Sequence, residues 1–251
     1  MQRLTSLLIW AGVILLTLLW FPFLLLIRFT DRTETRYRTG RWFRRLGKAI
    51  TRINPNWKIT IEGESEINDR RPYVMVSNHQ SNGDIPVISN LPWEMKWIAK
   101  KQLFSLPFVG WMMKLAGDIP VKRGSIGQVG MMKRAMFYLD RRISVIIFPE
   151  GTRSRDGRLT RFSKGAFELA IKKQVSILPI VVEGTHGCLP KNSWVFEPDV
   201  HVRLQILEPV STDGMGLEDA DELKERVRLR MVEALMEVRG EPAREVDAMA
   251  G

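Results

Sequence analysis

The N-terminal part of the chain contains 24 consecutive residues without a charged side chain, from Leu4 to Ile27 (LTSLLIWAGVILLTLLWFPFLLLI). At about 1.5 Å per residue a helix of this length reaches roughly 36 Å, which exceeds the thickness of about 30 Å of a hydrocarbon core. The run is too long for a signal peptide, and the following IRFTDRT offers no small-residue cleavage site. We therefore expect a membrane-anchoring helix. Pro22 removes one helical hydrogen bond, so a re-entrant or interfacial hairpin remains an alternative to a straight span.

Positive charge is concentrated directly after this apolar run. Nine arginines and lysines against two acidic residues lie between Arg28 and Arg52, so this segment supplies most of the formal net charge of +10. Only Arg3 flanks the run on its N-terminal side, and the positive-inside rule then places the following domain in the cytoplasm. No recognisable nucleic-acid-reading module accompanies the charge, so membrane phospholipid is the expected partner rather than nucleic acid.

A second helix is predicted inside the basic segment. In TGRWFRRLGKAITRI, residues 39–53, apolar side chains recur at helical spacing with arginines and lysines between them. Such a helix is typical of the headgroup region of an anionic membrane, although a solvated helix packed on its own domain fits the same pattern. Residues 1–53 are therefore interpreted as an N-terminal membrane anchor.

The rest of the chain alternates strand-like and helix-like patterns. YVMV, SVIIF and SILPIVV are short apolar runs typical of strands buried on both faces, with helical segments between them. This alternation predicts an α/β domain over residues 54–240, with a mainly parallel central sheet flanked by helices. WKITIEGE and VHVRLQILEPV are predicted as edge strands, and residues 241–251 as a flexible tail. The single cysteine, Cys188, excludes an intrachain disulfide and gives no tetrahedral zinc set.

Polar loops follow the predicted strands, and ligands of open α/β sheets bind beyond the carboxyl ends of strands. YVMV is followed by SNHQSNGD, in which His79 precedes Asp84 by five residues. Positions five apart on one helix do not face each other, so the two side chains meet only if His79 lies in the loop and Asp84 opens the next helix. A carboxylate beside an imidazole fixes its tautomer and raises its basicity, as general-base catalysis requires.

This pair has a structural interpretation as well as a catalytic one. Asp84 is a good helix N-cap, and His79 could simply bond to a backbone group. In the catalytic interpretation, no serine nucleophile in an elbow motif accompanies the pair, which indicates that His79 activates a hydroxyl group of a bound substrate.

Two further loops carry groups that suit a phosphate monoester. FPEGTRS predicts a tight turn that presents backbone donors, a hydroxyl and a guanidinium together, and Lys164 adds a charge farther on. The residues of this turn are Glu150, Gly151, Thr152 and Arg153. VKRG offers a second anion site or an ordinary exposed turn, through Lys122, Arg123 and Gly124. The other arginines nearby are interpreted as a solvated basic loop: Arg155, Arg158 and Arg161.

A third feature is the interleaving of aromatic residues and lysines in WEMKWIAKKQLFSLPFVGWMMKLAG, residues 93–117. This pattern serves either a membrane contact or a groove for an apolar chain. Packing in the core of the domain explains many of the aromatic residues equally well.

In order along the chain, NHQSNGD, VKRG, FPEGTRS and ILPIVVEGT resemble the four sequence blocks of the glycerophospholipid acyltransferases, most closely the bacterial members that act on 1-acylglycerol 3-phosphate. The similarity extends from about Trp57 to Val210. It implies transfer of a fatty acyl group from an acyl carrier protein or coenzyme A thioester to the sn-2 hydroxyl of lysophosphatidic acid, which gives phosphatidic acid. It also implies that no metal or other cofactor takes part, and that the catalytic domain lies on the cytoplasmic face of a bacterial inner membrane.

The resemblance assigns roles to individual residues. His79 matches the general base and Asp84 its orienting acid. The acceptor phosphate is assigned to two blocks, which here comprise Lys122, Arg123, Gly124, Glu150, Gly151, Thr152 and Arg153. Pro179 falls in the apolar block linked to the acyl donor, and Lys100 is a candidate oxyanion stabiliser from its position alone. Another lysolipid or an aminolipid as acceptor, transacylation, and a non-catalytic headgroup-binding protein remain alternatives; a phosphatase is disfavoured because neither a nucleophile motif nor a metal cluster is found.

Overall fold

The computed structural model describes residues 1–55, 57–63, 67, 71–122, 125–188, 193–197 and 199–250. Its centre is a seven-stranded sheet of order β1-β7-β6-β2-β5-β3-β4. The strands are β1 (Trp57–Glu62), β2 (Val74–Ser77), β3 (Met95–Lys100), β4 (Ile119–Val121), β5 (Ser144–Ile147), β6 (Ile177–Glu183) and β7 (Val200–Ile206). The predicted α/β fold is therefore confirmed.

Helices cover the sheet and precede it. They are α1 (Gln2–Thr30), α2 (Tyr37–Ile53), α3 (Asp84–Ile88), α4 (Val109–Ala116), α5 (Ser125–Asp140), α6 (Gly165–Lys173), α7 (Thr185–Cys188), α8 (Ala220–Arg239) and α9 (Ala243–Val246). Two short 3-10 helices, Lys101–Ser105 and Leu217–Asp219, complete the described elements.

Five neighbouring strands run parallel to one another. β2 pairs in parallel with both β5 and β6, and β3 pairs in parallel with β5 and β4. β7 is antiparallel to β6 and parallel to β1. The carboxyl ends of β2, β3, β4, β5 and β6 therefore share one edge of the sheet, which we call the catalytic edge.

The prediction of two edge strands is right for β1 and wrong for β7, which lies between β1 and β6. Every second residue of β7 is buried, while His201 and Arg203 are exposed. This alternation arises because one face of the sheet is open to solvent at this end, and it does not require an unpaired edge.

Two apolar cores lie on opposite faces of the sheet. One contains Val74, Val76 and Val145 with side chains of α5, α6 and α8, and the other contains Met75 and Ile146 with side chains around α3 and β7. Successive residues of β2 thus point to opposite cores, which explains why this strand is apolar throughout.

The apolar side of α2 packs inside the protein. This agrees with the second interpretation of its sequence, a helix packed on its own domain. Leu24 of α1, Leu46 of α2 and Met112 of α4 form a third buried cluster, and the rings of Trp20 and Trp42 lie 6.4 Å apart. Arg44 is buried as well, with its Nη2 2.7 Å from a carboxylate oxygen of Asp118. The basic side of α2 is therefore not wholly solvated, because one guanidinium ties the helix to the start of β4.

Helix α1 contacts the α/β domain near both of its ends. Close to its start, Trp10 donates a hydrogen bond to the carbonyl of Trp194 at 2.8 Å, and the Ser6 hydroxyl accepts one from the Phe196 N–H at 3.0 Å. Towards its end, the rings of Phe21 and Phe108 are 5.6 Å apart. In the part of the chain that the structure describes, α1 is the one helix long and apolar enough to cross a membrane, and its outward side chains remain exposed, among them Leu8, Leu15, Leu19 and Leu26.

The C-terminal residues, whose sequence predicts a flexible tail, pack against the α/β domain in this structure. Val246 is fully buried, and Asp247 pairs with the buried Arg228 of α8. The backbone of Leu159 donates to the Val246 carbonyl at 2.7 Å and accepts from Ala248 at 3.0 Å. These residues thus supply a carboxylate to a buried guanidinium and a buried valine to the core.

Candidate active site

The predicted polar loops meet because the strands before them are parallel neighbours. β2 lies between β5 and β6, so the loops that follow these three strands come together at the catalytic edge. Asn78 anchors the first loop by pairing its amide with the backbone of Val182 in β6, in two hydrogen bonds of 2.8 Å. His79 therefore starts from a fixed backbone position.

His79 and Asp84 form the predicted pair. Nδ1 of His79 lies 2.7 Å from Oδ2 of Asp84, whose side chain is fully buried, while the imidazole is 14% exposed. An ionised carboxylate can only accept, so Nδ1 carries the proton and Nε2 holds a free lone pair. The imidazole is thus arranged as a base that is accessible from solvent.

Asp84 does not cap α3, contrary to the structural interpretation of its sequence position. The helix begins at Asp84 with Gly83 at the cap and no side-chain cap hydrogen bond. The carboxylate instead accepts the backbone N–H groups of Gln80 at 2.8 Å and Ser81 at 3.0 Å, which precede it. These bonds close the loop around His79, so all the described contacts of Oδ2 serve the orientation of the imidazole.

Thr185, which the sequence did not single out, completes the coordination of Asp84. Its fully buried hydroxyl donates to Oδ1, the carboxylate oxygen that His79 does not use. Gly184 makes this approach possible, because a Cβ at that position would lie 2.0 Å from the carbonyl oxygen of His201 and its φ is +90°. The available signal was the position of EGTH directly after a buried strand.

Glu150 contacts the backbone of His79 rather than an open anion site. Its Oε1 accepts the backbone N–H of His79 at 2.8 Å, and its Oε2 accepts the N–H and the hydroxyl of Thr160 at 3.0 and 2.6 Å. Burial raises the pKa of this carboxyl group. Both oxygens are engaged within the protein, so these contacts do not support the expectation that Glu150 itself touches an acceptor phosphate; they make it a residue that positions His79.

The loop after β5 makes two further contacts with His79. The imidazole stacks on Phe148 with ring centroids 3.9 Å apart and planes 7° from parallel. The backbone N–H of Ser154 donates to the His79 carbonyl at 2.8 Å. His79 and the segment from Phe148 to Ser154 therefore form one rigid unit.

The predicted phosphate-binding residues of this unit are open to solvent. Gly151, Thr152 and Arg153 are exposed, and Gly151 adopts a φ of +70° that glycine accommodates without strain. The Arg153 guanidinium forms no ion pair with any described residue. A charged donor, a hydroxyl and a turn thus lie free beside the base.

The remaining predicted residues are distributed differently. Lys164 pairs with Asp221 of α8 and Arg158 with Asp156, so neither is a free cation of the site. Lys122 and Lys100 are exposed at the carboxyl ends of β4 and β3, on the catalytic edge. Arg123 and Gly124 lie outside the described residues. Pro179 is buried in the middle of β6, opposite Val76 of β2.

A polar network connects the His79 loop to α8. The Gln80 amide donates to Glu183 at 2.9 Å, and Arg239 donates to the same Glu183 oxygen and to the carbonyl of Gly157. Sequence patterns gave no sign of this network because its members lie far apart along the chain. Among the described residues, no group of histidine, cysteine and acidic side chains could hold a metal ion.

The chain is similar to known proteins in both sequence and structure. The family model described as acyltransferase matches residues 58–183. The chain is 38% identical over 200 residues to the chloroplastic 1-acyl-sn-glycerol-3-phosphate acyltransferase LPAT1 of Arabidopsis thaliana, which covers 79% of this chain and 54% of that protein. It is 33% identical over 199 residues to the 1-acyl-sn-glycerol-3-phosphate acyltransferase of Saccharomyces cerevisiae, with 74% of this chain and 62% of the relative covered. The chain thus spans only part of these relatives, about half in the case of the plant protein.

A solved structure matches nearly the whole chain. The crystal structure of PlsC, the 1-acyl-sn-glycerophosphate acyltransferase of Thermotoga maritima, superposes with a TM-score of 0.81 at 28% sequence identity. The match covers 96% of this chain and 97% of that chain. The similarity therefore includes the N-terminal helices as well as the α/β domain.

Proposed function

Because the chain belongs to the acyltransferase family, we propose that it transfers a fatty acyl group from a thioester to the free sn-2 hydroxyl of lysophosphatidic acid, forming phosphatidic acid. The thioester is carried by acyl carrier protein or coenzyme A. The names of the relatives and of the PlsC structure support this choice of acceptor. No cofactor is needed, since a thioester is already activated.

The observation that carries the proposal is the state of His79. Its Nδ1 is held by Asp84, while Nε2 has no hydrogen-bond partner among the described residues and the ring reaches solvent. A base with an open side suits a hydroxyl that arrives with the substrate. A headgroup-binding protein without catalysis has no use for such an arrangement.

The reaction follows from these positions. Nε2 of His79 takes the proton of the acceptor hydroxyl while the hydroxyl oxygen attacks the thioester carbon, and the carbonyl electron pair moves onto oxygen. The resulting intermediate re-forms the carbonyl and breaks its C–S bond. The thiolate leaves with the proton that the imidazolium returns. Asp84 stabilises the imidazolium between these two steps and does not itself take the proton.

The acceptor phosphate is proposed to bind next to the base. Gly151, Thr152 and Arg153 belong to the segment that contacts His79 through Phe148 and Ser154, so a phosphate bound there would be held close to the imidazole. Lys122, which follows β4 at the same edge of the sheet, is proposed to contribute to this site; Arg123 and Gly124, which lie outside the described residues, are assigned to it by their sequence block alone. A guanidinium binds a phosphate through two parallel hydrogen bonds.

The acyl donor is assigned by position. Lys100, exposed at the end of β3, is proposed to stabilise the oxyanion. Pro179 cannot touch a ligand directly while it is buried within the sheet. Its proposed contribution to the donor site is therefore indirect: Pro179 helps to set the path of β6, the strand that leads to Thr185.

Helix α1 is proposed to lie in one leaflet of the membrane instead of spanning it. Its first turns contact Phe196 and its last turns contact Phe108, so the domain accompanies the helix over most of its length. The opposite, apolar face of α1 is exposed and suits acyl chains. We place the enzyme at the cytoplasmic face of a bacterial inner membrane, because the basic residues after α1 favour an anionic cytoplasmic leaflet.

The test is an assay of the purified full-length chain with labelled acyl carrier protein and coenzyme A thioesters. Acceptors are lysophosphatidic acid, lysophosphatidylcholine and phosphate-free monoacylglycerol. His79→Ala is expected to lower turnover by about 10² to 10⁴-fold. His201→Ala, which removes an exposed histidine of β7, is the matched control and should leave turnover unchanged. Equal activity of His79→Ala and wild type would refute the mechanism, and preference for monoacylglycerol would refute the acceptor.

A further inference from the structure

A cavity lies at the opposite edge of the sheet from His79. Its wall includes Tyr73, directly before β2, Ser144, the first residue of β5, and Glu94, directly before β3. The amino and carboxyl ends of β2 are separated by about 13 Å, the length of four extended residues. The cavity is therefore distinct from the catalytic edge.

Three arginines are among the residues that line this cavity. They are Arg41 of α2, Arg71 before β2 and Arg142 before β5. None of the three forms an ion pair with a described residue, whereas the neighbouring Arg44 pairs with Asp118 and Arg141 pairs with Glu34. Three positive charges that share one cavity repel each other unless an anion lies between them.

In the described part of the wall, no other side chain offsets this positive charge. Of the residues described around the cavity, Glu94 alone has a carboxylate, and Lys96 neutralises it at 2.6 Å. Burial also raises the pKa of Glu94. Arg41 donates a hydrogen bond to the Tyr37 oxygen at 3.2 Å, which leaves the Tyr37 hydroxyl proton free to donate to a ligand.

The size of the cavity suits a small tetrahedral anion. Its volume is about 70 Å³. One water molecule needs roughly 10–15 Å³ on this measure, so the cavity holds about five waters or one group of five heavy atoms. Four apolar residues also contribute to the wall: Ile67, Met75, Pro92 and Trp93.

We propose that this cavity binds a phosphate-type anion through Arg41, Arg71 and Arg142. The anion is either the headgroup of a membrane phospholipid or a free phosphate compound. A lipid can reach the site because Tyr37 and Arg41 occupy the first turns of α2, shortly after the exposed apolar helix α1 ends at Thr30. The site is separate from the acceptor site proposed at Arg153.

The first test measures binding of inorganic phosphate by calorimetry to full-length protein that carries Arg153→Gln, so that the catalytic edge contributes little. The cavity variant combines Arg41→Gln, Arg71→Gln and Arg142→Gln. The matched control removes the same number of charges from exposed positions elsewhere, through Lys172→Gln, Arg203→Gln and Arg230→Gln. We expect the dissociation constant to rise at least about tenfold in the cavity variant relative to the control. If the cavity variant does not fold, Arg142→Gln compared with Lys172→Gln decides in the same way with a smaller effect.

The second test separates the two sources of the anion. Both variants are mixed with phosphatidylcholine vesicles that contain phosphatidic acid or, at equal charge, phosphatidylglycerol. A headgroup site predicts weaker binding of the cavity variant than of the control to the phosphatidic acid vesicles. A site for free phosphate predicts equal vesicle binding together with the difference in calorimetry. Equal behaviour of the two variants in both tests would overturn the proposal, and since Arg153→Gln is common to both, this result does not depend on the proposed acyltransferase activity.

Discussion

Asp84 receives hydrogen bonds on both carboxylate oxygens, and this determines how firmly His79 is oriented. Oδ2 accepts from the imidazole and from two backbone N–H groups, and Oδ1 accepts from Thr185. The carboxylate is fully buried, so each of these donors matters more than it would in water. An imidazole held in this way loses little entropy when a substrate hydroxyl arrives.

Thr185→Val removes the donor to Oδ1 and leaves that oxygen buried without a partner. A lost buried hydrogen bond is worth about 1–3 kcal/mol, and about 1.4 kcal/mol corresponds to a tenfold change in rate. We expect kcat to fall about tenfold with little change in the KM of the acceptor. Thr185→Ser keeps the hydroxyl and should restore kcat. A change in KM alone, or a serine variant as slow as the valine one, would show that Thr185 does not act through Asp84.

Glu150 and Arg153 are expected to fail in different ways. Glu150→Gln keeps one hydrogen-bond-accepting oxygen but replaces the other by an amide group that cannot accept the Thr160 N–H, so kcat should fall while the KM of the acyl acceptor stays nearly constant.

Arg153→Gln removes a free guanidinium worth about 1.5–3 kcal/mol to a charged ligand, so the KM of the acyl acceptor should rise about tenfold or more. Steady-state kinetics on lysophosphatidic acid checks both. A rise in KM for Glu150→Gln would return that residue to the phosphate site.

At the residue scale, the sequence predicted which side chains lie near His79 better than it predicted the partners that they contact. The contact between His79 and Asp84 could be predicted, because it requires only that His79 lie in the loop and that Asp84 open the next helix. Glu150 was assigned by its block, and nothing in the local sequence reveals that its carboxylate turns inward to His79 and Thr160. Thr185 was missed because its partner lies 101 positions away.

At the scale of elements, α1 shows what an apolar run can and cannot predict. Its length predicted a membrane helix, but the orientation depends on contacts with Trp194 and Phe196 that are distant in sequence. The same holds for α2, whose apolar side meets α1 because the two helices lie against each other. The strand patterns predicted β2, β5 and β6 well, since residues buried on both faces leave a continuous apolar run.

A cysteine at residue 2 tests the arrangement of α1. Gln2 contacts the carbonyl of Phe196 at 3.1 Å, so a helix that lies along the domain keeps its start on the same side of the membrane as the domain. In vesicles of known orientation, Gln2→Cys should react with a membrane-impermeant maleimide from the side that also labels Met249→Cys, a position 46% exposed in the domain. Labelling of the two positions from opposite sides would establish a span. The native Cys188 does not interfere, because burial raises its thiol pKa to about 12.

At the scale of the whole molecule, a chain of hydrogen bonds connects the C-terminal residues to His79. The backbone around Val246 pairs with Leu159, and the next residue, Thr160, binds Glu150, which in turn holds the backbone of His79. Arg228 binds Asp247 and also donates to the Thr160 carbonyl. The segment that the sequence predicted as a loose tail is thus linked to the loop of His79 through Leu159, Thr160 and Glu150.

Deletion of residues 241–251 should therefore reduce both stability and activity. It leaves the buried guanidinium of Arg228 without its carboxylate, and loss of one partner from a buried ion pair costs about 3–5 kcal/mol. Urea unfolding of the full chain and of the shortened chain measures this difference in the free energy of unfolding. Deletion of residues 250–251 alone, which spares Asp247 and Val246, serves as the control and should change neither property. In the larger deletion, Thr160 also loses the contacts that hold it, so kcat should fall while the KM of lysophosphatidic acid changes less. Unfolding curves and kinetics indistinguishable from wild type would mean that the tail is as loose as its sequence predicts.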